Sequence, residues 1–375
     1  MILAPYAMRD EFTAGRRYRE PPHPYRSAFQ RDRDRIVHAK AFRRLENKTQ
    51  VFGPNYSDHF RNRLTHTIEV GQIARTISGA LRLNSDLCEV LALSHDIGHP
   101  PFSHEGESVL NRIMREFGSG FNHNLHALRI VENFEEKYAS FPGLNLTFEV
   151  REGIVKHSQD YTGQEELYVD ISRYLPGQRP FLEAQVIDIA DEIAYNSADL
   201  DDGYDSGLLT LEQFVDQVDF AGRLYREVEI DHPRSPERLK VREMVRRIID
   251  TLVTSAIAHT RRTLEKHGIT SIQQVRLFPI RLVGFEDEIA AENLQLKNFL
   301  RQNLYDHQVV RKASEKAQYL IEALFRYYLE RPHEFPRRHY VQEPAQDLHS
   351  VACDYIAGMT DQYAHTKHAE LFGQS

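Results

Sequence analysis

Cysteine is nearly absent: the chain has two, Cys88 and Cys353, in 375 residues. Two thiols exclude a zinc site built on cysteine, and their scarcity fits a reducing compartment. Cys88 falls within an apolar helical run, where a thiol serves as a small core side chain. Long apolar runs are missing too. Nothing approaches the roughly 18 consecutive apolar residues of a membrane span. The opening stretch, MILAPYAMRDEFTAGRRYRE, lacks the basic-then-apolar layout of a signal segment. The expected location is therefore the cytoplasm, with no membrane partner. Positive charge is not in excess: the net charge of −8 weighs against nucleic acid as the main partner. One region departs from that balance, with RRYREPPHPYR, RDRDR and FRRLENK in the first third. It reads either as a solvated or oligomer-facing surface or as a surface for phosphates.

Period-two alternation is also scarce, and helical spacing replaces it almost throughout. Ile36, Ala39, Phe42 and Leu45 follow one helical pattern, and Leu64, Ile68, Ile73, Ile77 and Leu81 another. SDLCEVLALSHDIGH predicts a helix capped at Ser85 and stopped before Pro100-Pro101. Further helical segments are NHNLHALRIVENFEEKY, TFEVREGIVKHSQDY and RPFLEAQVIDIADEIAYNSADLDDG. SPERLKVREMVRRIIDTLVTSAIAHTRRTLEKHG predicts a long helix between a Ser-Pro start and Gly268. Two more segments, beginning at LQLKNF and DLHSVA, complete the chain. A short strand is expected around RLFPIRLVGF. Breaks are expected near 139–146, 203–210 and 228–236, none resembling a flexible linker. The fold class is all-α. A hydrophobic content of 41% with 27% charged residues describes an ordinary globular chain, long enough for one large domain or two closely joined ones.

Histidine is what the chain has in one place. SHDIGHPPFSHEGE, residues 94–107, holds three histidines and three carboxylates, where 19 histidines in 375 residues predict fewer than one. A metal site needs ligands that converge in space, each helix pointing a residue at a common centre. His66, the pair His95-Asp96, and Asp191 lie on three separate helical segments and are the candidates. Asp188, Asp191, Tyr195 and Asp199 recur every three or four residues and form one polar stripe on an otherwise apolar helix. Such a stripe either faces solvent or meets a cation. His66 alone reads equally as a satisfied helical histidine; the combination carries the specificity.

That combination resembles the H…HD…D signature of the HD-domain metal-dependent phosphohydrolases. More closely, the chain resembles the bacterial deoxynucleoside triphosphate triphosphohydrolases, the dGTPase family. The matching text is FQRDRDRIVHAKAFRRLENKTQVF, RNRLTHTIEVGQIAR, ALSHDIGHPPFSHEGE, FNHNLHALRIVE, EAQVIDIADEIAYNSADLDDG and DYIAGMTDQYA, spread over nearly the whole chain. The resemblance implies an HD-domain helical bundle with additional C-terminal helices. It divides the chain into an N-terminal helical segment, 1–60, a phosphohydrolase core, 61–205, and a C-terminal helical region, 206–375, packed on the core and at oligomer interfaces.

It implies His66, His95, Asp96 and Asp191 as metal ligands and His104 as the catalytic histidine at the scissile phosphate, with Glu107 positioning it. It implies that His99 and His123 reach the phosphates or a second metal, and that Arg63 binds phosphate. Tyr195 and Asp199 match the pair that holds the sugar, and Gln50 falls where relatives set a side chain against the deoxyribose. Glu192 stands where the animal relative has a phosphate-contacting lysine, so part of the triphosphate clamp is unassigned; Lys48 or a distant cation would fill it.

The implied reaction converts a dNTP and water to deoxynucleoside and inorganic triphosphate, by attack at the α-phosphorus. A metal makes water nucleophilic at neutral pH, and an imidazole such as His104 protonates the leaving oxygen. Direct attack by His104 stays open. Nitrogen and oxygen ligands suit Mn²⁺ or Mg²⁺, and equally Fe²⁺, Co²⁺, Ni²⁺ or Zn²⁺. The resemblance further implies a homo-oligomer, commonly a hexamer of paired subunits, with room for an activating dNTP and for single-stranded DNA. Two other readings stay beside it: an HD phosphohydrolase of a monophosphate, cyclic nucleotide or alarmone, and a nucleotide-sensing or DNA-binding regulator on the HD scaffold.

Overall fold

The computed structural model describes residues 2–50, 60–165, 167–335 and 347–373. The matched text that runs on to Val51 and Phe52 lies outside them. Helices dominate as expected. They are α1 (Ala28–Val37), α2 (Lys40–Arg44), α3 (Arg63–Leu81), α4 (Ser85–Ser94), α5 (Ser103–Glu116), α6 (His123–Arg129), α7 (Phe148–Val155) and α8 (Leu182–Asp205). After these come α9 (Leu211–Gln217), α10 (Asp219–Asp231), α11 (Glu237–Lys266), α12 (Ile272–Leu277), α13 (Asp287–Leu300), α14 (Gln308–Glu330), α15 (Leu348–Ala357) and α16 (Asp361–Phe372). Among the described residues no strand forms, and β-pairing is confined to the isolated bridges Arg16–Thr147 and Thr49–Asn62. No helix among them is long and apolar enough to cross a membrane.

Several boundaries differ from expectation for local reasons. Asn84, not Ser85, caps α4, accepting from Leu87 N at 3.2 Å, because the Ser85 hydroxyl is taken by Ser78 at 2.9 Å. The strand expected around RLFPIRLVGF is irregular chain after α12. The buried Gln185 Oε1 accepts from Leu282 N at 2.7 Å and Val283 N at 3.3 Å, in place of a strand partner. The breaks after α8, which ends at Asp205, and after α10, which ends at Asp231, fall within the expected ranges. The segment from Leu294 onward is two helices, parted by a wide π turn over Arg301–Tyr305.

α3, α4 and α8 pack together at the centre, with α1 against α4 and α11 against α8 and α3. Ile77, Leu87, Cys88, Val186 and Ile193 are buried there, so Cys88 is core as its pattern suggests. A second apolar cluster joins Leu110 and Ile113 of α5 to Ile321, Leu324 and Phe325 of α14 and Ile356 of α15. Each such side chain, fully buried, contributes about 1.5–3 kcal/mol. α5 therefore carries one face into the C-terminal core while its first turn stays at the site.

Candidate active site

α3 opens at Asn62, whose side chain accepts from Thr65 N at 2.9 Å. Arg63 and His66 then fall three residues apart on one face, each 1% exposed. α4 ends at Ser94 and the chain turns at once through His95 and Asp96, both buried. α8 brings Asp191 to the same place. His66 Nε2 lies 2.8 Å from Asp191 Oδ1 and 4.0 Å from Asp96 Oδ2. His95 Nε2 lies 3.4 Å from Asp96 Oδ1 and 3.7 Å from Asp191 Oδ1. Asp191, from the stripe on α8, thus meets both histidines.

The donor atoms fit a divalent cation. His95 Nδ1 donates to Ala92 O at 2.6 Å, which leaves Nε2 as a lone pair, buried and without a hydrogen-bond partner between two carboxylates. Burial works to raise the Asp96 carboxyl, but Arg63 and the histidines hold it well below the usual range. The Asp191 carboxyl, raised by burial alone, is likewise held low by His157 and His66. Two ionised carboxylates around an unpartnered imidazole nitrogen are the ligand chemistry of such an ion.

His157 was not singled out in the sequence, yet it belongs here. It lies just beyond α7, with Nδ1 3.0 Å from Asp188 Oδ1 and Nε2 3.5 Å from Asp191 Oδ2. Asp188 is anchored in turn by Arg281 and by Ser158 N at 2.7 Å. The stripe's need for cationic partners was the available signal. Nothing in the pattern named His157 and Arg281 as those partners.

The acid–base candidates sit on the turn after Asp96. Gly98 lies so close to α6 that a Cβ would stand 2.0 Å from His123 O. Phe102 and Ser103 both take positive φ, +62° and +58°, and α5 then begins. His104 is open to solvent, its side chain 65% exposed, with Nδ1 3.9 Å from Glu107 Oε2. The expected pairing of His104 with Glu107 is loose here, because Glu107 is already engaged. His123 donates to it from Nδ1 at 2.9 Å and from its backbone N at 2.9 Å. Burial favours the neutral acid, but His123, which is hydrogen-bonded to it, and the nearby His104 drive the Glu107 carboxyl far below its ordinary value. His99 stacks on His123 at 3.9 Å and places Nδ1 3.1 Å from Asp96 Oδ1, linking this group to the metal cluster.

Arg63 is committed within the site, donating to Asp96 Oδ2 at 2.6 Å and Ser103 Oγ at 2.7 Å. Lys48 is not available to phosphates. Its amine is buried and bonded to the carbonyls of His99 and Ala357, so that expectation is corrected. Gln50 is buried with Oε1 unpartnered.

Beside the cluster, Tyr195 and Tyr305 pack at 5.8 Å, and the Tyr305 hydroxyl donates to the buried Asp199 carboxylate. Burial pushes Asp199 up to about 7 against that bond. A cavity of about 730 Å³ opens over this group, lined by Glu105, Tyr195, Lys297, Arg301, Tyr305, Arg311 and Gln318 among others. Lys297 Nζ lies 3.1 Å from Glu192 Oε1, so a cation from α13 stands beside the position where the animal relative has its lysine. Tyr305, Lys297 and the two arginines come from about a hundred residues downstream of α8, with no local pattern to mark them.

The HD domain matches residues 63–196, and the phosphohydrolase-associated domain matches residues 283–370. A deoxyguanosinetriphosphate triphosphohydrolase-like protein of Ralstonia nicotianae is 47% identical over 371 residues, covering 99% of this chain and 94% of that protein. Proteins of the same description from Thiobacillus denitrificans, 48% identical over 99% of this chain and 97% of theirs, and Geobacter sulfurreducens, 44% identical over 99% and 95%, agree. The chain belongs to the deoxyguanosinetriphosphate triphosphohydrolase-like family of HD-domain hydrolases. As an HD-family hydrolase it carries His and Asp clusters able to hold a divalent metal, with the HD match spanning the whole H…HD…D set from α3 to Asp191. The associated-domain match takes in Lys297, Arg301, Tyr305 and Arg311, which complete the cavity from the other side.

Proposed function

We propose that this protein hydrolyses deoxynucleoside triphosphates to deoxynucleoside and inorganic triphosphate. One observation carries the reading: Asp191 and Tyr195, a single turn apart on α8, join the metal cluster to an aromatic, carboxylate-bearing cavity with cations at its rim. A sugar stacked on Tyr195 and Tyr305 and bonded to Asp199 sets the α-phosphate towards His95, Asp96 and Asp191. Lys297, Arg301 and Arg311 then face the remaining phosphates. His66, His95, Asp96 and Asp191 would hold Mn²⁺ or Mg²⁺. Such an ion would supply a lower pKa for water and positive charge against the phosphate.

The chain's own groups do the rest. Exposed His104 is free to turn towards the departing 5′-oxygen and donate its proton. The ionised Glu107, held by His123, gives that imidazole a carboxylate partner. Arg63 keeps Asp96 and Ser103 in place and adds positive charge beside the reacting phosphate. A monophosphate, cyclic nucleotide or alarmone would leave the cationic rim or the sugar group unused. A regulator would not require an exposed imidazole beside intact ligands. We place the protein in the cytoplasm as a homo-oligomer.

Product analysis tests this. Each dNTP, alone and mixed, is incubated with Mn²⁺ or Mg²⁺ and the products are resolved by ion exchange. Deoxynucleoside with intact triphosphate is the expected result, and turnover in mixtures alone would reveal an activating dNTP. Stepwise loss of single phosphates, or no release in any condition, would overturn the reading.

A further inference from the structure

The turn that delivers His104 is held from the far end of the chain. Phe102 and Ser103 are consecutive non-glycine residues in the left-handed region, a conformation that L side chains rarely adopt. Phe102 offers no side-chain cap to α5, so local sequence does not account for the conformation.

Two buried side chains do. Asp361, the first residue of α16 and 3% exposed, accepts from Phe102 N at 3.0 Å through one oxygen and from Thr49 N at 2.9 Å through the other. Lys48, 2% exposed, donates to His99 O and, at 3.2 Å, to Ala357 O, the last residue of α15. The Phe102 ring meets His365 of α16 edge-on at 5.1 Å. Every polar partner of Lys48 and Asp361 named here is main chain, and neither residue lines the cavity beside Tyr195. They pin both ends of the stretch 99–102 to the two sides of the α15–α16 turn.

We propose that Asp361 and Lys48 are positioning residues for His104, acting through the backbone of Phe102 and His99. On this view the α15–α16 turn belongs to the catalytic apparatus, and the DYIAGMTDQYA stretch has a role that sequence left unexplained. Without the Asp361 carboxylate, Phe102 and Ser103 relax towards ordinary backbone angles, and His104 swings away from Glu107. The kinetic part rests on the proposed reaction; the backbone part does not.

Asp361→Asn tests it, since the amide keeps the shape but offers one acceptor oxygen in place of two. The expected result is a fall in kcat of about 10- to 100-fold, the usual cost of a misplaced catalytic group. KM and bound metal should stay within about twofold. Independently of turnover, backbone hydrogen exchange should rise over residues 98–104 and 48–50 and stay unchanged in α3 and α8. Lys48→Met keeps the aliphatic stem and should give the same pattern if Asp361→Asn folds poorly. Unchanged exchange at 98–104 in the folded variants would overturn the proposal, as would loss of turnover that follows metal loss alone. A wild-type protein that turns over no dNTP would remove the proposed function, while exchange would still decide the positioning.

Discussion

The two halves of the site are built on opposite principles. The candidate metal cluster draws His66 from the first turn of α3, Asp191 from the middle of α8 and His95-Asp96 from a helix end, all supported by the central packing of α3, α4 and α8. The candidate acid–base group hangs on a turn with two left-handed residues, and Asp361, Lys48 and His123, which bond to it or to that turn, come from other parts of the chain. The first half is rigid because its backbone is regular and buried. The second is specific because distant groups hold an unfavourable conformation. A regular helix tolerates many neighbours, whereas a strained turn needs particular ones.

That contrast can be broken by mutation. The largest effect belongs to the metal cluster: Asp191→Ala should abolish metal retention and lower turnover roughly 10³-fold or more. Metal content after dialysis and steady-state rates would show it, and an active, metal-free variant would refute the ligand assignment. Next comes His104→Ala, expected to lower kcat roughly 10²–10⁴-fold while metal and fold are retained. Near-normal turnover there would sink its assignment. His157→Ala should sharpen the rigid half, weakening metal affinity about 10- to 100-fold as the support of Asp191 is lost. Competition with a chelator would measure it, and unchanged affinity would make His157 simple packing.

The smallest effect concerns how α8 is docked. Glu183, fully buried, accepts from Met8 N at 2.9 Å and Asn84 N at 3.0 Å, and burial pushes its carboxyl from 4.5 up to about 7. The folded state therefore holds a proton that the unfolded state releases between those values. Its contribution is fully present below about 4.5 and falls as pH rises to 7, by on the order of 2–3 kcal/mol. Glu183→Gln should flatten that part of the pH dependence of the unfolding midpoint. A variant with the same slope as wild type would show that Glu183 does not titrate there.

Legibility followed the same division. The helices and the buried face of α8 could be read because apolar periodicity is local, and His66, His95, Asp96 and Asp191 stood out as polar residues inside such patterns. Lys48 was misjudged because a lysine near a basic run gives no sign that two carbonyls will bury its amine. Tyr305 went unseen because the π turn that presents it interrupts a continuous helical pattern, and Lys297 because a lysine on the outer face of α13 gives no sign of the Glu192 carboxylate it meets.

By itself, then, the sequence determined an all-α chain and the residue types of one cluster able to hold a metal, since both rest on spacing within single helices. Tertiary structure alone decided that His123 rather than His104 holds Glu107 and that His157 and Arg281 support the stripe. It also decided that α13 and α14 line the cavity beside Tyr195 and that the α15–α16 turn is bonded to the stretch 99–102. Those outcomes depend on which buried polar groups find partners, and such partners lie anywhere along the chain.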